Sequence, residues 1–353
     1  MITNIMPSRS LPTIPYFDAR ATGLAAHLHA RAAAARALRD ACLPLPAALM
    51  PVLTPLDLLM GRWLGRSASI YRREAAEMAA HLNFAGAMTI NMSYQYGCTT
   101  GAGQGPDGAP LMRRSLDWPF HGLGRMVEVV HQRGAAGDFY NVTWPGAIGV
   151  LTALAPQRFA AAINQAPCVR RTPGAPLRGF DYAVNFHRTV TKETGWPPDH
   201  LLRYAFETCT DAEAAVDLLC REPVSRPVLF SLCAPHVQSC AVIERRERKA
   251  CVYRGVFAVA NDWQKPERAW EPRGEPYFDR RRDNAARHAA MQAALRASEQ
   301  EFSWVKIPIL NRNTRLAVEM SPASGTLLVL GYERATGGAL PAAATGVFDL
   351  TTV

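Results

Sequence analysis

The residues of this 353-residue chain that could do chemistry together lie in "NMSYQYGCTTGAGQGPDGAPLMRRSLDWPF", residues 91–120. Cys98 follows a glycine, and Arg114 and Asp117 come back after a turn. "GAGQGPDGAP" is turn chemistry with Pro106-Asp107-Gly108 at its tip, so residues 98–103 and 109–117 are expected to pair as an antiparallel hairpin. A turn centred near residue 107 sets residue 98 opposite residue 116, and Arg114 and Asp117 then fall beside Cys98. A cation next to a thiol favours the nucleophilic thiolate, and a carboxylate can hold that cation or orient an amine. A lone strand cysteine is also a common small core residue, and an Arg/Asp pair is a common surface ion pair. The hairpin by itself leaves both readings open.

The elements that must position these residues change character near residue 90. Before it the pattern is helical: Asp18 is placed to cap an Ala-rich helix running to about Cys42, a helix follows from Thr54 to Trp63, and "SASIYRREAAEMAAHLN" has helical apolar spacing. After it, "RMVEVVHQ", "DFYNVTW", "FAAAIN", "SCAVIERRERKACVYRGVFAVAND" and "TRLAVEMSPASGTLLVLGYE" read as strands between turn signals. Helices are expected over about 181–194, 198–221 and 280–298. Segregated strands and helices predict an α+β layered fold rather than repeated βαβ units.

Composition narrows the functional classes. With 48% apolar and 20% charged residues the chain is globular, and its length suits one or two domains. A net charge of +9 comes from dispersed basic residues without a nucleic-acid motif, so no nucleic-acid partner is expected. "ERRERK" at 244–249 is expected at a solvated hairpin tip. Residues 1–20 lack the apolar core of a secretory signal, and no run reaches the roughly 18 apolar residues of a membrane span. The expected location is the cytoplasm, with membrane-surface contact through the Ala-rich helix disfavoured. Eight cysteines form no CxxC pair and no metal-ligand spacing with histidine, so neither metal nor cofactor is expected. "GAGQG" lacks the spacing and following helix of a dinucleotide fingerprint.

The run from Cys98 to Phe120 resembles the choloylglycine hydrolase and acid ceramidase group of N-terminal nucleophile hydrolases, which includes N-acylethanolamine acid amidase. That group opens its catalytic subunit with Cys followed by Thr or Ser, has an arginine 16 residues on, and an aspartate 19 residues on in an "R-x-x-D-(aromatic)-P" segment. Cys98-Thr99-Thr100, Arg114 and Asp117-Trp118-Pro119-Phe120 stand at those offsets. "VFAVANDWQKP" and "YFDRRRDNAARHAAMQAAL" are similar to two later segments of the group. The resemblance, over roughly residues 70–335, gives Asn261 the place of the oxyanion-stabilising asparagine and Arg280 that of a second active-site arginine. It implies a four-layer αββα sandwich, with residues 1–97 as a helical N-terminal segment and 98–353 as the catalytic domain.

The resemblance further implies an amidohydrolase acting on a small linear N-acyl amide, activated when Cys98 cuts the Gly97-Cys98 bond. The freed α-amine, which titrates at about 7.7–8.0 in model compounds, then serves as base for its own thiol, and no histidine is required. Tyr96, Trp118, Phe120 and Trp144 are candidates for an apolar acyl groove. Acyl transfer to an amine in place of water, or an uncut chain serving as a binding scaffold, would use the same residues. The oligomeric state is not legible.

Overall fold

The computed structural model describes residues 11–91, 97–173, 175–265, 269, 279–297, 301–334 and 337–353. The chain begins with β1 (Tyr16–Asp18), followed by α1 (Gly23–Ala30), α2 (Ala32–Cys42), α3 (Thr54–Arg66), α4 (Arg72–Leu82) and α5 (Ala87–Asn91). Then come β2 (Gly97–Gln104), β3 (Pro110–Asp117), β4 (Glu128–Gly134), β5 (Gly137–Thr143), β6 (Thr152–Ala155) and β7 (Phe159–Gln165). A helical stretch of α6 (Arg178–Lys192), α7 (Pro198–Thr208) and α8 (Ala212–Arg221) precedes β8 (Val228–Cys233), β9 (Ala241–Arg246), β10 (Lys249–Arg254) and β11 (Phe257–Val259). The chain ends with α9 (Arg280–Arg296), β12 (Thr314–Ser321), β13 (Thr326–Glu333), β14 (Ala342–Ala343) and β15 (Phe348–Asp349).

Among the described residues the strands make two sheets. One has the order β1-β4-β5-β6-β7-β8-β9-β10, and the other β11-β2-β3-β12-β13-β14 with β15 beside β13. They face each other where β2 and β3 meet β7 and β8. The Ala160-Ala161-Ala162 run of β7 is fully buried, and its small side chains let the second sheet come close. Helices α7 and α8 cover the outer face of the first sheet, and α9 covers β2 and β11 of the second. This is the α+β four-layer αββα sandwich that the resemblance implies. No helix among the described residues is long and apolar enough to cross a membrane.

The hairpin adopts the expected register, with Cys98 opposite Leu116, Thr100 opposite Arg114 and Gly97 opposite Asp117. Three local expectations need correction. Asp18 caps no helix: it ends β1, which pairs in parallel with β4, and its carboxylate accepts from Arg20. The helix expected over 198–221 is two helices, because Asp211 accepts a hydrogen bond from the Ala214 amide and starts α8 afresh. The charged 244–249 tip is only partly solvated. Arg245 is fully buried and donates to the carbonyls of Leu219, Glu222 and Lys249.

Alternation along the hairpin sends Cys98, Thr100, Arg114 and Leu116 toward the first sheet and Thr99, Gly101, Arg113 and Asp117 toward α9. A Cβ at Gly101 would stand 2.6 Å from Met291 Cγ, whereas one at Gly103 would meet nothing nearer than Leu295 Cδ2 at 3.4 Å. Alanine recovers about 0.5–1 kcal/mol of strand-glycine entropy, but overpacking costs about 1–3 kcal/mol. Gly101→Ala is therefore expected to lower the melting temperature in a thermal scan, while Gly103→Ala leaves it level or higher.

Candidate active site

Cys98 is completely buried in the uncut chain. Its Sγ lies 3.3 Å from Arg114 Nη2 and 3.5 Å from the Ile163 carbonyl, to which the same Nη2 donates at 2.7 Å. A backbone hydrogen bond from Gln165 also reaches the thiol. The remaining donors of Arg114, Nε and Nη1, are buried without a hydrogen-bond partner among the described residues. An underpaired buried guanidinium is costly, and that cost falls when an anion forms beside it. The neighbouring sulfur is the group able to supply one. In the uncut chain burial dominates and pushes the Cys98 thiol up to about 11, against the opposing pull of Arg114 and Arg287. In the continuous chain the thiol thus keeps its proton near neutral pH.

The backbone around Cys98 is held as firmly as its sulfur. The Cys98 amide donates to Asn261 Oδ1 at 2.8 Å, and Asn261 Nδ2 donates to the Gln165 carbonyl at 2.9 Å. Asn261 follows β11, which pairs with β2 through Val259 opposite Thr100. The two sheets are stitched at this point: Thr100 Oγ1 donates to Asn164 Oδ1 at 2.7 Å, and Asn164 Nδ2 donates to the Ala260 carbonyl at 2.9 Å. Asn164 and Gln165 are the last two residues of β7, so the end of that strand and the segment carrying Asn261 are fixed together.

Asp117 stands on the α9 side of the hairpin, beside Gly97 rather than beside the sulfur. A Cβ on Gly97 would be 3.4 Å from Asp117 Oδ2 and 3.6 Å from Asn261 Oδ1, so the peptide bond entering Cys98 runs between a carboxylate and an amide. Thr314 Oγ1 donates to Asp117 Oδ1 at 2.9 Å. Burial pushes the Asp117 carboxyl up, and Arg287 pulls it down.

Arg287 is the site residue that sequence reasoning missed. Its Nη1 donates to the Cys98 carbonyl at 2.5 Å and to Thr99 Oγ1 at 3.0 Å, while Nη2 reaches Asn261 Oδ1 at 3.2 Å. Asp283 accepts from its Nε at 2.9 Å, and Asn284 Oδ1 accepts from Nη2 at 2.6 Å. Arg280 lies two turns earlier, at the first residue of α9, about 10.5 Å along the axis. The side-chain donor to the Cys98 carbonyl is Arg287. Asp283, Asn284, Arg287 and Met291 share one face at spacings of three and four, and that periodicity was the available signal.

Trp118 continues the Cys98-facing side of β3 by parity. It meets Trp144 edge-on at 6.0 Å and Phe120 at 6.3 Å between ring centroids, and all three line a cavity of about 170 Å³. Apolar Leu38, Ile90, Leu123 and Leu151 complete much of the wall, with Arg39 and Asp199 as its charged members. Cys98 is not part of that lining, which includes Trp118, the residue directly after the strand that carries Arg114 and Asp117. Tyr96 lies outside the described residues. Among the described residues no group of three His, Cys, Asp or Glu side chains could hold a metal ion. All eight cysteines are free thiols, and Cys98, Cys209, Cys233 and Cys240 are buried.

No protein-family model matches the chain, and no curated protein matches it. Among solved structures it is similar to the Caenorhabditis elegans ortholog of N-acylethanolamine-hydrolyzing acid amidase, at 18% identity over 64% of this chain and 93% of that one, with a TM-score of 0.46. Penicillin V acylase from Agrobacterium tumefaciens is similar at 14% identity over 72% and 87% of the two chains, with a TM-score of 0.40. A variant of conjugated bile acid hydrolase from Clostridium perfringens is similar at 10% identity over 72% and 93%, also at 0.40.

Proposed function

We propose that the protein is an N-terminal cysteine amidohydrolase that cleaves linear N-acyl amides through an acyl thioester on Cys98. The observation that carries this reading is the placement of the Arg114 guanidinium, 3.3 Å from the sulfur and otherwise underpaired. It supports a thiolate as soon as a base is available. That base is the Cys98 α-amine, freed when Sγ attacks the Gly97 carbonyl, the C–N bond breaks, and water hydrolyses the resulting thioester.

In turnover the α-amine takes the thiol proton and Sγ attacks the substrate carbonyl. The tetrahedral oxyanion is met by the Asn261 side-chain amide and the Gln165 backbone N–H. The C–N bond breaks as the α-ammonium returns the proton to the leaving amine. Water, deprotonated by the α-amine, then releases the carboxylic acid. Asp117 and Asn261 orient the α-amine, and Arg287 fixes the Cys98 carbonyl and the Asn261 side chain. The cavity at Trp118, Phe120 and Trp144 takes the acyl group. Residues 1–97 act as the N-terminal segment and 98–353 as the catalytic unit.

Acid quenching during turnover of an N-acyl amide, followed by peptide mass analysis, is expected to place an acyl mass on the peptide beginning at Cys98. Turnover with the acyl group on another residue, or with no covalent adduct under single-turnover sampling, would overturn the reading.

A further inference from the structure

Helix α2 lies before the region that carries the family resemblance, yet it forms one side of the cavity. Ala35, Leu38, Arg39 and Cys42 stand three and four residues apart and so share a helix face. A Cβ at Gly146 would come within 2.9 Å of Ala35 Cβ, and one at Gly122 within 2.8 Å of Ala41 Cβ. Both glycines have positive φ, 84° and 88°. Small residues on the helix and left-handed glycines in the loops let α2 sit against the loops that present Phe120 and Trp144. Below, His27 and Arg31 anchor the preceding turns on buried Glu128, at 2.8 and 3.0 Å.

This seating places a cation in a mostly apolar wall whose other polar side chains are Thr89, Asn91, Thr143 and Asp199. The Arg39 side chain is 6% exposed. Its Nε donates to Asp40 at 2.7 Å, its Nη1 donates to the Ala85 carbonyl at 2.7 Å, and its guanidinium lies 4.6 Å from the Phe84 ring centre. Nη2 has no hydrogen-bond partner among the described residues. Asp40 is half exposed, so water shares its charge. The other charged lining residue, Asp199, sits in the first turn of α7, where the helix N-terminus meets its charge.

We propose that Arg39 determines specificity: the cavity takes an acyl group whose apolar body ends in a carboxylate, which accepts from Arg39 Nη2. The inference deepens the amidase reading and rests on it for the identity of the ligand as an acyl group. A methyl-terminated chain would bury Nη2 without a partner, whereas a carboxylate satisfies it with a charge-assisted bond.

The test is calorimetric binding of two slowly cleaved probes, the N-methyl amide of octanoic acid and the N-methyl monoamide of octanedioic acid. The wild-type protein is expected to bind the carboxylate-ended probe about tenfold or more tightly than the methyl-ended one. Arg39→Gln is expected to abolish that ratio and Arg39→Lys to keep part of it, since lysine supplies the charge without the planar fork. Equal binding of both probes by the wild type overturns the proposal, as does a ratio unchanged in Arg39→Gln. If the Gln variant fails to fold, the wild-type ratio and the Lys variant decide. A retained preference with no turnover of any amide would overturn the amidase reading and leave the Arg39 subsite standing.

Discussion

Cys98→Ala is expected to stay in one piece and to lose amide hydrolysis by about 10⁴-fold or more, the scale on which removal of a covalent nucleophile acts. In the proposed mechanism two events depend on the same sulfur, attack on the Gly97 carbonyl and attack on substrate, so alanine removes both. The change is small for the fold. It deletes one buried sulfur and relieves Arg114 Nη2 of a partner, while that donor keeps the Ile163 carbonyl at 2.7 Å. A variant that melts close to the parent, remains uncut and is inactive fits the account. Parent-like turnover by Cys98→Ala in a purified sample would remove Cys98 from the mechanism.

Asn261→Ala is expected to lower kcat by about 10²–10³-fold with little change in KM, the effect of removing an oxyanion donor. The same side chain accepts from the Cys98 amide at 2.8 Å and from Arg287 at 3.2 Å, so self-cleavage is expected to slow as well. Three side-chain hydrogen bonds are lost, each worth about 0.5–1.5 kcal/mol of stability, so the stability loss can approach the rate effect of roughly 2.7–4 kcal/mol and the two must be measured separately. The readout is therefore the split between kcat and melting temperature. A fall in activity matched by loss of fold, or a rise in KM with kcat intact, would assign Asn261 to structure or to ground-state binding instead.

Local chemistry made the centre of this fold legible. Pro106-Asp107-Gly108 fixes where the hairpin turns, and a two-residue period then determines which side chains share the Cys98 face, so the pairing of Cys98 with Leu116 follows from counting. What stayed hidden depends on contacts distant in sequence. Strand β1 is three residues long and exists because β4, more than a hundred residues on, offers a parallel edge. Arg245 reads as one charge in a solvated tip, but three carbonyls from α8 and the hairpin draw it into the interior. Asp117 falls near Cys98 by spacing, yet the strand's parity sends its carboxylate to the opposite face, beside Gly97. Arg287 is masked by the arginine run at 280–282, and only the packing of α9 on β2 brings it to the Cys98 carbonyl.

The cavity illustrates the same division. Trp118 and Phe120 lie two residues apart beside the hairpin, and Trp144 ends a strand, so an apolar groove is a natural reading of the three. Arg39 comes from a helix some sixty residues before Cys98, and nothing in its own neighbourhood marks it. Its place in the wall follows from Gly122 and Gly146, whose backbones leave room for α2.

The most direct measurement is the identity of the N-terminus that carries the sulfur. Intact mass and N-terminal sequencing of the purified protein, before and after incubation across mildly acidic to neutral pH, should show the chain divided between Gly97 and Cys98, with activity rising as the Cys98-initiated fragment accumulates. Full amidase activity from an undivided 38.6 kDa chain, or from one divided at another bond, would contradict it.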